Sequence, residues 1–234
     1  MARTAGHREL GTPLFLLNLK SYPTSLGKAA MEIASHLQAI GESLGVAVAV
    51  APSSSLLYAM SQALSMPVLA QHVDPFPPGA RTGFLIPEAL VAAQVRGSLV
   101  NHSEHQVPSE SVSAISRMLK EAGLTTVVCA GNLAQARALA GECQPPYLAI
   151  EPPELIGGNI SVSVAKPEIV SGAVAAVREV APHTKVLCGA GIRSGEDVRK
   201  ALELGAEGIL VSSAVAASKD PAGAIRELMG GFKR

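Results

Sequence analysis

Eight short apolar runs of β type recur along this chain, each followed by a longer stretch with helical spacing. The runs cover residues 14–19, 46–51, 67–71, 97–101, 125–129, 147–150, 185–188 and 208–211. In the first helical stretch Ile33, Leu37, Ile40 and Leu44 recur at i, i+4, i+7 and i+11. In the last, Ala224, Ile225, Leu228 and Met229 share one side. Ser194-Gly195-Glu196-Asp197 reads as a capped helix start, and Ser109, Pro167 and Asp220-Pro221 stand where other first turns should begin. Eight strands, each followed by a helix, predict an α/β fold, a closed (β/α)8 barrel in preference to an open doubly wound sheet. No long hydrophilic linker or low-complexity tract interrupts the alternation. Residues 1–234 therefore read as one domain, with about residues 1–12 as an N-terminal extension of no assigned role.

The composition suits such a core. Apolar residues make up 48% and aromatics 3%, with no Trp, so Val, Leu, Ile and Ala must fill the interior, as in a parallel sheet covered by helices. Nineteen basic residues balance nineteen acidic ones, which removes the electrostatic case for a nucleic-acid or anionic-membrane partner. A small anionic substrate would have to be caught by local geometry. Cys129, Cys143 and Cys188 lack metal-ligand spacing, and Cys129 and Cys188 lie in apolar runs where reduced, buried thiols are expected. Residues 1–11 carry charges and lack the apolar stretch of a secretion signal, and no window approaches a membrane span. A soluble, cytoplasmic protein is the expectation.

A barrel of this kind carries its chemistry where strands end and βα loops begin. The loops after the first, fourth and sixth runs supply Lys20, His102 and Glu151, a set suited to moving a proton next to a carbonyl. Those after the seventh and eighth supply Gly189-Ala190-Gly191 and Ser212-Ser213. Glycines let backbone N–H groups approach an anion, and a small-residue turn opening a short helix favours negative charge, so this pair reads as a phosphate cradle. Taken singly, each residue has an ordinary reading: a solvated loop lysine, a structural histidine, a glutamate ending a strand, a first-turn charge at Glu104. His7, His36, His72, His105 and His183 show no ligand spacing and read as surface or structural groups.

Together the loops carry a resemblance. Asn18-Leu19-Lys20, Ala70-Gln71-His72-Val73-Asp74, Arg81-Thr82-Gly83 and Asn101-His102-Ser103-Glu104 are similar to motifs of the triosephosphate isomerases, in particular the short archaeal form. So are Glu151-Pro152-Pro153-Glu154-Leu155-Ile156-Gly157, Cys188-Gly189-Ala190-Gly191-Ile192 and Ser212-Ser213. The resemblance runs from about Leu14 to the C-terminus. It implies a TIM barrel that interconverts dihydroxyacetone phosphate and D-glyceraldehyde 3-phosphate through an enediol(ate), in glycolysis or gluconeogenesis, with no cofactor and no metal. The division of labour is one already known for this family. Glu151 would be the general base, working in a pocket dried by loop closure. His102 would polarise the carbonyl as a neutral imidazole, with the N–H dipoles of a turn starting at Ser103 aimed at its ring. Lys20 would place a fixed positive charge beside the enediolate and the phosphate, and Asn18 would hydrogen-bond a substrate oxygen. Glu104 would orient the site, while Gly189, Gly191, Ser212 and Ser213 would hold the phosphate. The segment after Glu151 would close as a lid, its backbone around Ile156 and Gly157 reaching the phosphate. Cys129 matches a family cysteine near the site, a core thiol being the ordinary alternative. Arg81, Ser212 and Ser213 vary around otherwise recognisable loops.

Thr82 resembles the residue that a neighbouring subunit inserts beside the active site; an exposed turn on Pro77-Pro78-Gly79 is the alternative. Val73, Phe76, Leu85 and Ile86 would be awkward to leave exposed. A homodimer is the minimum the resemblance implies, and short archaeal forms often pair dimers into homotetramers. One rival is another phosphate-binding barrel enzyme of sugar- or thiamine-phosphate metabolism. An aldolase would need a Schiff-base lysine in the barrel, and neither Lys166, before a helix, nor Lys185, opening a strand, is well placed. The other rival is a non-catalytic phosphate-binding barrel, which would be expected to have lost one of Lys20, His102 and Glu151. Residues after Gly230 are expected to fray.

Overall fold

The computed structural model describes residues 10–152 and 167–233. Its strands are β1 (Leu14–Asn18), β2 (Ala47–Ala51), β3 (Leu69–Ala70), β4 (Gly97–Val100), β5 (Thr125–Ala130), β6 (Tyr147–Ile150), β7 (Lys185–Cys188) and β8 (Gly208–Val211). They form one parallel sheet in the order β2-β1-β8-β7-β6-β5-β4-β3. The two ends of that order meet at a parallel bridge between Val50 and Val68, where Val50 N–H donates to Pro67 O at 3.1 Å. The sheet thus closes on itself. Around it lie α1 (Gly27–Leu44), α2 (Leu57–Ala63), α3 (Pro87–Ala92), α4 (Ser109–Glu121), α5 (Leu133–Cys143), α6 (Pro167–Val180), α7 (Gly195–Glu203), α8 (Ser213–Ala216) and α9 (Pro221–Gly230). This is the expected (β/α)8 barrel.

The strand ends differ from the sequence reading in detail. β3 is confined to Leu69–Ala70, because its seam with β2 is a single bridge instead of a ladder. Leu19, Gln71 and Asn101 lie beyond their strands, although Leu19 N–H still donates to Ala51 O at 2.9 Å.

Packing follows from the period-two geometry of strands buried on both faces. Leu14 and Leu16 of β1 point into the barrel with Leu69, Leu99, Val127 and Leu187, while Phe15 and Leu17 point outward against Leu37 of α1 and Ile225 of α9. Burying a side chain of this size contributes about 1.5–3 kcal/mol. Tyr147 fills the barrel interior, its hydroxyl accepting Leu10 N–H at 3.1 Å.

The helix signals hold locally. Ser194 and Asp197 form a reciprocal capping box at the start of α7. Asp220 accepts Gly223 N–H at 2.9 Å at the start of α9. Ser109 is the first residue of α4, behind Pro108. Ile33, Leu37 and Ile40 are buried on α1, whereas Leu44 is half-buried. Residues 231–233 do not trail away as expected: Gly231 is buried, and the Phe232 ring lies on Phe15 with centroids 6.2 Å apart. Among the described residues no helix is long and apolar enough to cross a membrane.

Candidate active site

Asn18 ends β1, and its side chain organises the loop beyond it. Its Oδ1 accepts Lys20 N–H at 3.0 Å and the Gln71 amide at 3.1 Å. Lys20 adopts a left-handed backbone (φ 49°), which turns its side chain back over the barrel mouth. The Lys20 ammonium lies 2.7 Å from Glu104 Oε1. Glu104 is 55% exposed, so this pair orients the ammonium more than it stabilises the fold.

The loop after β4 is shaped by a second left-handed residue, Asn101 (φ 63°). Asn tolerates that conformation because its short amide bonds locally. Here the amide nitrogen donates to Cys129 O (3.1 Å) and the amide oxygen accepts Val107 N–H (3.2 Å). His102 follows, 6% exposed. Its Nδ1 accepts Glu104 N–H at 3.2 Å, so the proton of a neutral ring is assigned to Nε2. The turn expected at Ser103 is thus present, with an N–H aimed at the imidazole.

Glu151, the first residue after β6, is 4% exposed. Its Oε1 lies 3.4 Å from His102 Nε2, and its Oε2 has no hydrogen-bond partner among the described residues. Leaving a buried acceptor unmet costs about 1–3 kcal/mol or more. Such a cost is typical of a group kept for reaction instead of packing. Burial, and then the Glu151 charge and hydrogen bond beside it, push the Cys129 thiol well above the ordinary thiol range. Cys129 therefore stays protonated against the carboxylate, both a core thiol and a neighbour of the site.

At Gly189 the structure shows a steric role that has no counterpart in the local sequence. A Cβ there would collide with Glu151 Cγ and lie 3.1 Å from Ile150 O, so the missing side chain makes room for the carboxylate. Gly191 takes a left-handed φ of 67°. Opposite, Ser212 has a buried hydroxyl with no partner among the described residues, and Ser213 begins α8.

Asn18, Lys20, His102, Glu104, Glu151, Gly189, Gly191, Ser212 and Ser213 all line one cleft of about 290 Å³ at the C-terminal mouth of the barrel. Of the expected lid only Pro152 is among the described residues; Ile156, Gly157 and the remainder lie outside them, as does Lys166. Thr82 is exposed on the loop after β3 and does not line the cleft. In that loop Val73 is fully buried and Phe76, Leu85 and Ile86 half-buried; the large hydrophobic side chain left exposed is Phe84, whose ring meets Phe76 edge-on. Tyr22 and Arg193 also line the cleft, and the sequence offered no signal for either. Gln71 did carry a signal, since it sits inside a matched motif, but its role emerges only from three donated bonds to other loops. A buried carboxylate, an imidazole edge opposite and an ammonium beside them are the parts needed to remove a proton from carbon next to a polarised carbonyl. Backbone turns at 189–191 and 212–214 offer a concave wall suited to an anion.

Known proteins of one family match most of this chain. A family model described as triosephosphate isomerase matches residues 13–228. The triosephosphate isomerase of Methanothermus fervidus is 43% identical over 217 residues, covering 93% of this chain and 97% of that protein. The enzyme of the same name from Methanocaldococcus jannaschii is 43% identical over 216 residues, covering 92% and 98%. That of Methanosarcina barkeri is 42% identical over 220 residues, covering 94% and 99%.

Proposed function

This chain belongs to the triosephosphate isomerase family and is an isomerase, and from that premise we propose that it interconverts dihydroxyacetone phosphate and D-glyceraldehyde 3-phosphate. The observation that carries the reading is the pairing of a buried carboxylate, one oxygen without a partner among the described residues, with an imidazole edge 3.4 Å away at the mouth of the barrel. Glu151 takes the proton from C1 of dihydroxyacetone phosphate. The C–H electron pair becomes the C1=C2 bond, and the carbonyl π pair moves to O2. His102 Nε2–H hydrogen-bonds the carbonyl oxygen as that charge develops, and Lys20 supplies a fixed positive charge beside it. Return of the proton from Glu151 to C2, with transfer of the hydroxyl proton between O1 and O2, yields the aldehyde.

Asn18 binds a substrate oxygen and Glu104 holds the Lys20 ammonium in place. Gly189, Gly191, Ser212 and Ser213 bind the phosphate, and the lid carrying Ile156 and Gly157 closes over it. Excluding water matters because an exposed enediolate phosphate loses its phosphate by elimination. Residues 1–234 act as one barrel domain with an extension at about 1–12. The enzyme works in the cytoplasm, without a cofactor, in glycolysis or gluconeogenesis. Its partner is a second copy of itself. A cavity of about 550 Å³ lies on the far side of Lys20 and Glu104, walled by Gln71, His72 and Leu85, and is suited to receive the Thr82 loop of a neighbour. A homodimer is the minimum assembly, and pairing of dimers gives a homotetramer.

Isomerisation of glyceraldehyde 3-phosphate, coupled to reduction of the dihydroxyacetone phosphate formed, tests the reading. The wild type should turn over rapidly and Glu151→Gln should collapse to near background. A folded but inert wild type would overturn the proposal.

A further inference from the structure

Two adjacent residues that take no part in this chemistry join the loops that do. Gln71 and His72 directly follow β3. The Gln71 amide donates to Asn18 Oδ1 at 3.1 Å, Lys20 O at 3.2 Å and Ala51 O at 3.0 Å, tying the end of β3 to the loops after β1 and β2. His72 faces the next loop. Its ring lies on the His105 ring with centroids 4.0 Å apart and planes 14° from parallel. The other side of the grip is Asp74, whose Oδ1 is 3.2 Å from His72 Nε2 and whose Oδ2 accepts Leu85 N–H at 2.8 Å.

His105 closes the turn that carries His102, its N–H donating to His102 O at 2.8 Å. Only Ser103 and Glu104 lie between them, and Glu104 binds both His102 Nδ1 and the Lys20 ammonium. A shift of the His105 end therefore moves the imidazole and the anchor of the lysine together.

We propose that His72 and His105 are positioning residues. Their stack clamps the 102–105 turn to the loop after β3, fixes the imidazole edge that faces Glu151, and holds only while at least one of the two rings is uncharged. The proposal rests on the isomerase reading for its kinetic consequence, not for the clamp itself. Two imidazolium rings at this separation repel. Among the described residues, the charged and titratable groups around the pair are Asp74 on the loop after β3, His102 and Glu104 on the loop after β4, and Lys20 on the loop after β1; the loop after β2 brings Ser54. Burial lowers the basicity of His72, the hydrogen bond to Asp74 opposes this, and His105 lowers it further. A histidine that binds its proton less firmly folded than unfolded contributes stability that is complete above about pH 6.5 and is lost as the pH falls. The clamp therefore loosens on the acid side.

The test compares wild type, His105→Ala and His105→Phe in kcat and KM across about pH 5–9. His105 is exposed, so neither substitution disturbs the core. Removing the ring should cost about tenfold in kcat with KM little changed, since no substrate contact is lost. Phenylalanine keeps a stacking ring without a charge. His105→Phe should match wild type near about pH 8 and lack the extra fall in kcat that wild type shows below about pH 6.5. His102 ring-nitrogen shifts in ¹⁵N-labelled protein give a readout that does not need turnover: Nδ1 should move in His105→Ala and stay in His105→Phe. Wild-type kinetics and shifts in His105→Ala, or equal damage in both variants, would overturn the clamp. An inert wild type with the expected shifts would instead count against the isomerase reading.

Discussion

Replacing Gly189 with alanine probes whether an absent side chain is what seats the reactive carboxylate. A Cβ at position 189 runs into Glu151 Cγ and comes within 3.2 Å of Glu151 Cδ and 3.1 Å of Ile150 O. Carbon atoms rest about 3.5–4.0 Å apart, so even Cδ must retreat by roughly half an ångström, and Cγ farther. The backbone gives less readily, because Ile150 O already accepts Gly189 N–H at 2.9 Å where β6 and β7 pair. The Glu151 side chain is therefore the part that moves. Displacing a reacting group by about 1 Å costs up to roughly a hundredfold in rate, or about 2.7 kcal/mol of barrier. Gly189→Ala should lower kcat for triose phosphate isomerisation by about ten- to a hundredfold. Overpacking should also cost about 1–3 kcal/mol of stability, read from urea denaturation. Steady-state kinetics at saturating substrate is the decisive assay, because it separates a misplaced base from a weakened phosphate grip. A wild-type kcat in folded Gly189→Ala would refute the steric argument.

Other perturbations reach different parts of the barrel. Glu151→Asp should reduce kcat by about a hundredfold or more while leaving KM near wild type, since the shorter base loses near-attack geometry but no binding contact; comparable turnover would remove Glu151 from the role. Asn101→Ala should destabilise the protein by about 1–3 kcal/mol in denaturant titrations, because Val107 N–H and Cys129 O lose their partner and alanine disfavours the left-handed backbone. It should also lower kcat, and unchanged stability would contradict the account of that turn. Burial pushes the Cys188 thiol up to about 12. A thiol held protonated by the fold contributes stability that is complete below its unfolded value near 9.0 and is lost as the pH rises toward 12. Stability should therefore fall above about pH 9 by up to about 1.4 kcal/mol per pH unit for this group. Cys188→Ala should show a correspondingly shallower alkaline slope in thermal melts, and an identical slope would reject the assignment.

Much of the site was legible because barrel chemistry is tied to strand ends. Lys20, His102, Glu151 and the two small-residue loops all stand just past one of the eight apolar runs, and the structure gathers these residues around one cleft. Residues that act by reaching across the barrel were not legible. Gln71 stood inside a matched motif, yet its amide joins three loops at separations of 20 to 53 residues. His72 and His105 read as surface or structural histidines because a stack between rings 33 positions apart leaves no spacing signal. Phe84, not the four apolar residues singled out from the sequence of that loop, is the one left exposed, since loop folding decides which hydrophobe is tucked away.

The sequence by itself determined the alternation of strand and helix, the aliphatic core and the helix caps at Ser194 and Asp220, because these rest on local periodicity and on bonds between residues three apart. It also placed the reactive groups at loop starts. Only the tertiary structure decided that β3 shrinks to two residues at the closing seam, that Phe232 packs on Phe15, that Gly189 makes room for Glu151, and which edge of His102 meets that carboxylate. The physical reason is common to all four. Each depends on atoms brought to within a few ångströms of one another by barrel closure, and a distance of that kind has no expression in the order of residues along the chain.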